Sequence, residues 1–220
     1  MKFKEATIFG VTGLIGSEIL KVLIDDISFK KINIVTRTSY LLTHEKIKNH
    51  IIDFSDYTAI LKTIENSDIV FAAIGTTQSK VKGDKKAYRK IDYDIVLDIA
   101  KACKESNTSH FSFVSSAGAD LKSNSFYLKL KGEIENAILN LNLLSTSVLR
   151  PSLLLGKRKE KRFGEKIAQL IMPILSSFMP SIYRPIKANL VAKSMIEISK
   201  SAQPGFNIYH FNEIQKIKIN

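Results

Sequence analysis

Gly10-Val11-Thr12-Gly13-Leu14-Ile15-Gly16 follows directly on an apolar run at 6–9 and opens a stretch of helical pattern at 13–24. Glycines at this spacing leave no side chain where the chain must turn and where backbone N–H groups must come close to a ligand. The helix behind them adds partial positive charge from its unpaired N–H groups. A glycine triplet alone is weak evidence. Placed between a strand and a helix, it points to a pyrophosphate-binding turn. Gly10, Thr12, Gly13, Leu14, Ile15 and Gly16 are therefore the residues expected at the ligand.

The same rhythm continues outward from this turn. Apolar β-branched runs at 32–35, 51–52, 69–74, 111–114 and 146–149 alternate with helical patterns at 57–64, 84–104 and 125–141. The runs are continuous, which marks strands buried on both faces. In the third helix Ala87, Ile91, Ile95 and Ile99 recur every fourth residue as one apolar stripe. Strand–helix alternation predicts an α/β fold with a doubly wound parallel sheet. After Pro151 the alternation breaks into a basic loop (157–162), an apolar helix (165–178), a helix at 189–200 and a last strand at 206–211. Residues 1–220 are read as a single domain, with about 151–220 forming a small C-terminal lobe that packs over the ends of the sheet and covers a substrate.

Composition narrows the function classes. Forty-five per cent hydrophobic and 25% charged residues exclude general disorder. Thirty-three Lys+Arg against 21 Asp+Glu leave a net charge of +12, but the dense stretches 80–90 and 157–162 lack interleaved aromatics, which argues against nucleic acid. A solvated basic surface, or attraction of an anionic ligand, is the preferred reading. The one cysteine, Cys103, excludes an intrachain disulfide framework and is read as a small core residue. With no secretory apolar region near Met1 and no apolar run long enough to span a bilayer, the expectation is a cytoplasmic location. The apolar segment 167–178 beside the basic loop suits a pocket cover or a subunit interface, with peripheral membrane contact as the alternative. His44, His50, His110 and His210 lack ligand spacing, so no metal is expected.

Cofactor choice rests on the end of the second strand, Thr36-Arg37-Thr38-Ser39. Arg37 lies 21 residues beyond Gly16, about where a carboxylate would select the ribose hydroxyl of NAD, and no acid stands between Asp26 and Glu45. A guanidinium there suits a 2′-phosphate, hence NADP(H). Asp53 is a candidate acceptor for the adenine amino group, with a plain turn aspartate as the alternative. Gly75-Thr76-Thr77, after the fourth strand, is expected to line the cofactor trough.

Carbonyl reduction needs a proton donor at the oxygen, and tyrosine serves when an ammonium lies near it. Tyr127 and Lys131 stand at i and i+4 on a predicted helix, and Ser115-Ser116 ends the strand just before it. With 7 tyrosines and 27 lysines, chance alone supplies about one such pair, so the order of the motifs carries the weight. A second pair, Tyr183 and Lys187, has Pro185 between its members, which disfavours the helix that would align them.

Taken together, Gly10–Gly16, Gly75-Thr76-Thr77 with Lys80, Asp92-Tyr93-Asp94, His110-Phe111, the Ser115–Glu133 block, Ser147-Val148-Leu149-Arg150-Pro151 and the loop Arg158–Glu165 resemble an atypical short-chain dehydrogenase/reductase, of the Tat-interacting-protein-like family. The resemblance spans about residues 5–195. It implies a Rossmann fold holding NADP(H), a Ser–Tyr–Lys catalytic set of Tyr127, Lys131 and one of the two serines, with Ser116 preferred over Ser115, and Arg150 with Tyr127 and Lys131 among the cofactor-binding residues. Many such relatives carry Asn near the place of Asp92, a departure in this chain. The implied activity is NADPH-dependent reduction of a carbonyl-type small molecule. The alternatives are an NADPH-binding regulatory or assembly protein and a nucleotide-sugar epimerase or dehydratase. An oligomer is compatible with either.

Overall fold

The structure is a computed structural model, and it describes residues 4–156 and 180–218. Its strands are β1 (Lys4–Phe9), β2 (Phe29–Thr36), β3 (Ile47–Ile51), β4 (Ile69–Ala72), β5 (His110–Val114), β6 (Ser145–Leu149), β7 (Leu154–Leu155), β8 (Ile186–Lys187) and β9 (Gly205–Tyr209). Seven of them form one sheet in the order β3-β2-β1-β4-β5-β6-β9, and every neighbouring pair is parallel. The helices are α1 (Leu14–Asp25), α2 (Tyr57–Ile64), α3 (Lys85–Arg89), α4 (Ile95–Glu105), α5 (Phe126–Leu139), α6 (Ala188–Lys200) and α7 (Phe211–Lys216). This is the doubly wound sheet that the alternation predicts.

The strand composition follows from the two covered faces. Ala6, Ile8, Ile32, Ile34, Ile69 and Phe71 pack with α1 and α6 on one side. Phe9, Val35, Val70 and Ala72 alternate with them and meet α2, α4 and α5 on the other. Each strand therefore reads as an unbroken apolar run although its side chains alternate. The exception is β3, whose sequence Ile-Lys-Asn-His-Ile is half polar and whose Ile51 is exposed. At a sheet edge only one flank is paired and water reaches the side chains, so the expected run at 51–52 marks only where this strand ends.

Two further differences shape the site. The single helix expected over 84–104 is interrupted by a π-helical turn at Lys90–Asp94, between α3 and α4. Such a turn adds one residue to the helix and changes which side chains face inward. At this end burial falls on Tyr88 and Asp92, while Ala87 and Ile91 are only half-buried. Next, the described part of the C-terminal segment joins the main body of the fold: α6 packs against α1, and β9 extends the sheet beside β6. The strand expected at 206–211 stops at Tyr209, because Phe211 opens α7 behind the His210 cap. As the intervening Pro185 predicts, Tyr183 lies in a 3₁₀ turn and Lys187 in β8, so no helix aligns that pair. The basic loop and the apolar helix expected at 157–162 and 165–178 lie outside the described residues.

A buried polar group sits at the amino end of β5. His110 is buried, with Nδ1 2.8 Å from Ser145 Oγ and Nε2 3.0 Å from Ser147 Oγ. Burial, with Lys4 nearby, pushes its pKa down from 6.5 to about 4. The fold thus favours the neutral ring, and this stabilisation is complete above pH 6.5 and lost as pH falls toward 4. A gap of this size corresponds to about 3 kcal/mol. Urea unfolding at pH 7.5 and 4.5 should show wild type losing about 2–3 kcal/mol more than His110→Asn. Equal losses in the two proteins would refute this role for His110.

Candidate functional site

The residues singled out by the sequence meet along the carboxyl edge of the parallel sheet. Gly10 follows β1, Arg37 follows β2, Asp53 comes just after β3, Ala73–Thr77 follow β4, Ser115-Ser116 follow β5 and Arg150 follows β6. The chain runs outward from β1 to β3 and then crosses back to β4 on the other side of β1. The crevice opened by such a reversal is where doubly wound folds hold ligands.

The glycine turn is built for close approach. Gly10 has φ +89°, and a Cβ on it would stand 2.5 Å from the Ala73 carbonyl oxygen. A Cβ on Gly16 would stand 2.1 Å from the Gly10 oxygen. At Gly13 the corresponding distance is 3.2 Å, tight but not prohibitive. Gly10 and Gly16 are thus demanded by packing, whereas Gly13 keeps open the mouth of the turn. Gly13 is also the N-cap of α1, with no side-chain cap and no acidic residue in the first turn. The N–H groups of that turn are left to a ligand, and this cradle fits a pyrophosphate.

Other members of the expected set divide. Thr12 is exposed at the turn. Ile15 is buried in the α1 face of the core and Leu14 packs against that core near Gly156, so only their backbones remain for a ligand. Arg37 is exposed beyond the last residue of β2. Asp53 is an exposed turn residue whose Oδ1 accepts the Ser55 N–H at 2.9 Å. Arg150 does not point its fork at a free crevice: Nε donates to Glu135 Oε1 at 3.0 Å and Nη2 pairs with Glu135 Oε2. A carboxylate within bidentate reach thus ties this guanidinium to α5.

Helix α5 brings the acid–base groups together. Tyr127, Lys131 and Glu135 stand at i, i+4 and i+8, on one stripe. Lys131 Nζ lies 5.9 Å from the Tyr127 ring centroid and 2.9 Å from Asp92 Oδ1 in the π turn. Burial works against the Lys131 charge, but Asp92, Tyr127 and Glu135 offset it and hold its pKa above the usual lysine value. Asp92 Oδ2 also accepts the Thr76 N–H at 2.8 Å, while the Thr76 carbonyl accepts from Tyr88 Oη at 3.3 Å. Tyr88 stacks edge-on against Tyr127 with centroids 6.3 Å apart. Arg89 braces α3 to α5 by donating to Glu133 Oε2 at 2.6 Å.

The two serines differ. Ser115 is buried and its hydroxyl donates to Glu135 Oε1. Ser116 is half-buried, with Oγ 3.2 Å from the Ala117 carbonyl oxygen. Gly132 sets how near their loop comes to α5: a Cβ there would stand 2.5 Å from the Asp120 carbonyl carbon. The Glu135 link escaped the sequence reading, although its i+8 position relative to Tyr127 was visible. The Asp92–Lys131 pair escaped it because 39 residues separate the partners. Cys103 is buried and burial pushes its thiol pKa up, which suits a core residue.

Comparison with known proteins bears on the family and the fold. The family model described as NAD(P)H-binding matches residues 10–165. Protein FMP52, mitochondrial, of Candida albicans is 37% identical over 206 residues, covering 91% of this chain and 88% of that one. Protein HTATIP2 of Rattus norvegicus is 32% identical over 172 residues, covering 77% and 70%. A solved UDP-N-acetylglucosamine 4-epimerase from Methanobrevibacter ruminantium M1, in complex with UDP-N-acetylmuramic acid, superposes with TM-score 0.74 at 24% identity, over 96% of this chain and 77% of that one. That likeness concerns the fold. The cytoplasmic expectation is overturned: the Candida protein and its namesakes from Coccidioides immitis and Meyerozyma guilliermondii are named mitochondrial. A lone buried cysteine reports on redox conditions and carries no address. By its glycine turn, its family match and these identities, the chain belongs to the NAD(P)H-binding family, as an atypical short-chain dehydrogenase/reductase.

Proposed function

We propose that this chain is an NADPH-dependent oxidoreductase that reduces the carbonyl group of a small molecule, in the compartment its relatives' names indicate. The observation that supports this best is the α5 stripe, which sets Tyr127 and Lys131 one turn apart at the carboxyl edge of the sheet. The bound nicotinamide supplies the reducing equivalents. The glycine turn would hold its pyrophosphate, Arg37 the 2′-phosphate, and Thr76-Thr77 with Lys131 the nicotinamide half. Tyr127 gives its phenolic proton to the substrate oxygen as the carbonyl carbon is reduced. The Lys131 ammonium stabilises the tyrosinate left behind. Ser116 holds the same oxygen through its hydroxyl, since Ser115 is already engaged by Glu135.

The test is NADPH oxidation followed by absorbance over a broad carbonyl and quinone panel. Turnover of at least one carbonyl, with loss in Tyr127→Phe, supports the reading. NADPH binding without turnover of any compound overturns it in favour of a cofactor-sensing role. Cofactor choice has its own expected result. NADPH should bind about tenfold more tightly than NADH, worth about 1.4 kcal/mol, and Arg37→Ala should erase most of that difference in titration calorimetry. Equal affinities in the unaltered protein would refute the role given to Arg37.

A further inference from the structure

We propose that Asp92 is a positioning residue of this site, whose single carboxylate both holds the Lys131 ammonium in place and pins the Thr76 amide of the loop after β4. The proposal rests on the oxidoreductase reading for the role of Lys131 and goes beyond it by naming what sets the lysine's charge and place.

Three observations carry it. Asp92 is 2% exposed and belongs to the π turn, the one interruption in the helical run from α3 to α4. Its two oxygens serve different elements: Oδ1 lies 2.9 Å from Lys131 Nζ on α5, and Oδ2 accepts from Thr76 N at 2.8 Å. Lys131 is itself 4% exposed, so its charge depends on this partner. An uninterrupted α-helix over 84–104 would aim residue 92 differently. The extra residue of the π turn is what brings the carboxylate between the lysine and the cofactor loop.

Among the described residues, the groups facing Lys131 are few. Asp92 approaches from the π turn, Tyr127 and Glu135 from its own helix, and Tyr88 stands behind Tyr127 from α3. Glu135 is already bound by Arg150 and Ser115, which leaves Asp92 as the main counter-charge. An amide at this position would accept the Thr76 N–H equally well but would not neutralise the ammonium. The carboxylate therefore has a consequence that an amide would lack. The ion pair favours the charged form of Lys131, and the loop that lines the cofactor trough is tied to the same carboxylate.

The experiment compares NADPH affinity by calorimetry from pH 7.5 to 9.5 in wild type, Asp92→Asn and Asp92→Glu, all as the full chain. This range lies above titration of the cofactor's own phosphate. Wild type should hold its affinity within about threefold. Asp92→Asn should lose about tenfold across the range, because the buried ammonium has lost its counter-charge and releases its proton sooner. Asp92→Glu, which restores the charge, should return toward the wild-type profile. Superimposable profiles for wild type and Asp92→Asn overturn the proposal while leaving the oxidoreductase reading intact. Failure of wild type to bind NADPH at all overturns that reading instead. If Asp92→Asn does not fold, Asp92→Asn combined with Lys131→Met should recover the fold, since neither charge is then buried alone. An unfolded double variant would make the role of Asp92 one of packing and overturn the proposal.

Discussion

Tyr127→Phe should lower turnover of a carbonyl substrate by about 10²–10⁴-fold while leaving NADPH affinity nearly unchanged, the usual effect of removing one positioned acid. The substitution deletes only the phenolic oxygen. The ring stays packed edge-on against Tyr88, so the helix and the loop at Thr76 keep their places. Lys131→Ala should act on both steps. It leaves the buried Asp92 carboxylate without its ion pair and removes the charge that stabilises tyrosinate, so affinity and turnover fall together. Steady-state kinetics beside calorimetry separates the two variants: a loss confined to turnover for Tyr127→Phe, a loss in both for Lys131→Ala. Full activity of Tyr127→Phe on a carbonyl would end the proton-donor assignment.

Gly13→Val and Gly16→Val should fail in different ways. Gly13 has φ −81° and ψ 171°, extended backbone open to any residue, and its nearest neighbour to a Cβ is 3.2 Å away. Valine there needs only a small adjustment, so the fold survives with a lower Tm. Its branches fill the mouth of the turn, and NADPH affinity should fall at least about 100-fold, or about 2.7 kcal/mol. At Gly16 a Cβ would stand 2.1 Å from the Gly10 oxygen, and no side-chain movement relieves a clash with backbone. Overpacking of this kind costs about 3 kcal/mol, which for a chain of this length lowers Tm by about 10 °C. Thermal melts and calorimetry on both variants provide the check. Gly13→Val that binds NADPH as wild type does would put the phosphate site elsewhere.

Much of the architecture was legible because it is local. Strand β1 and helix α1 are recognised from apolar runs and glycines within twenty-five residues, and the same holds for β4, β5 and α5. Where a strand sits at an edge, as β3 does, the polar residues that keep its outer side soluble erase the signal. Where a helix is widened by a residue, as at Lys90–Asp94, the fourfold spacing of Ala87, Ile91, Ile95 and Ile99 still reads as one helix. That stripe therefore concealed which residues face inward.

The sequence by itself determined the α/β alternation, the phosphate-type turn and the one-turn spacing of Tyr127 and Lys131. Each depends on periodicity or on backbone freedom within a few residues. Tertiary structure alone decided that Asp92 pairs with Lys131, that Glu135 gathers Arg150 and Ser115, and that β9 closes the sheet beside β6. These contacts join residues far apart in the chain, and a buried charge takes whichever partner the packed layers bring within about 3 Å, a choice no local pattern encodes.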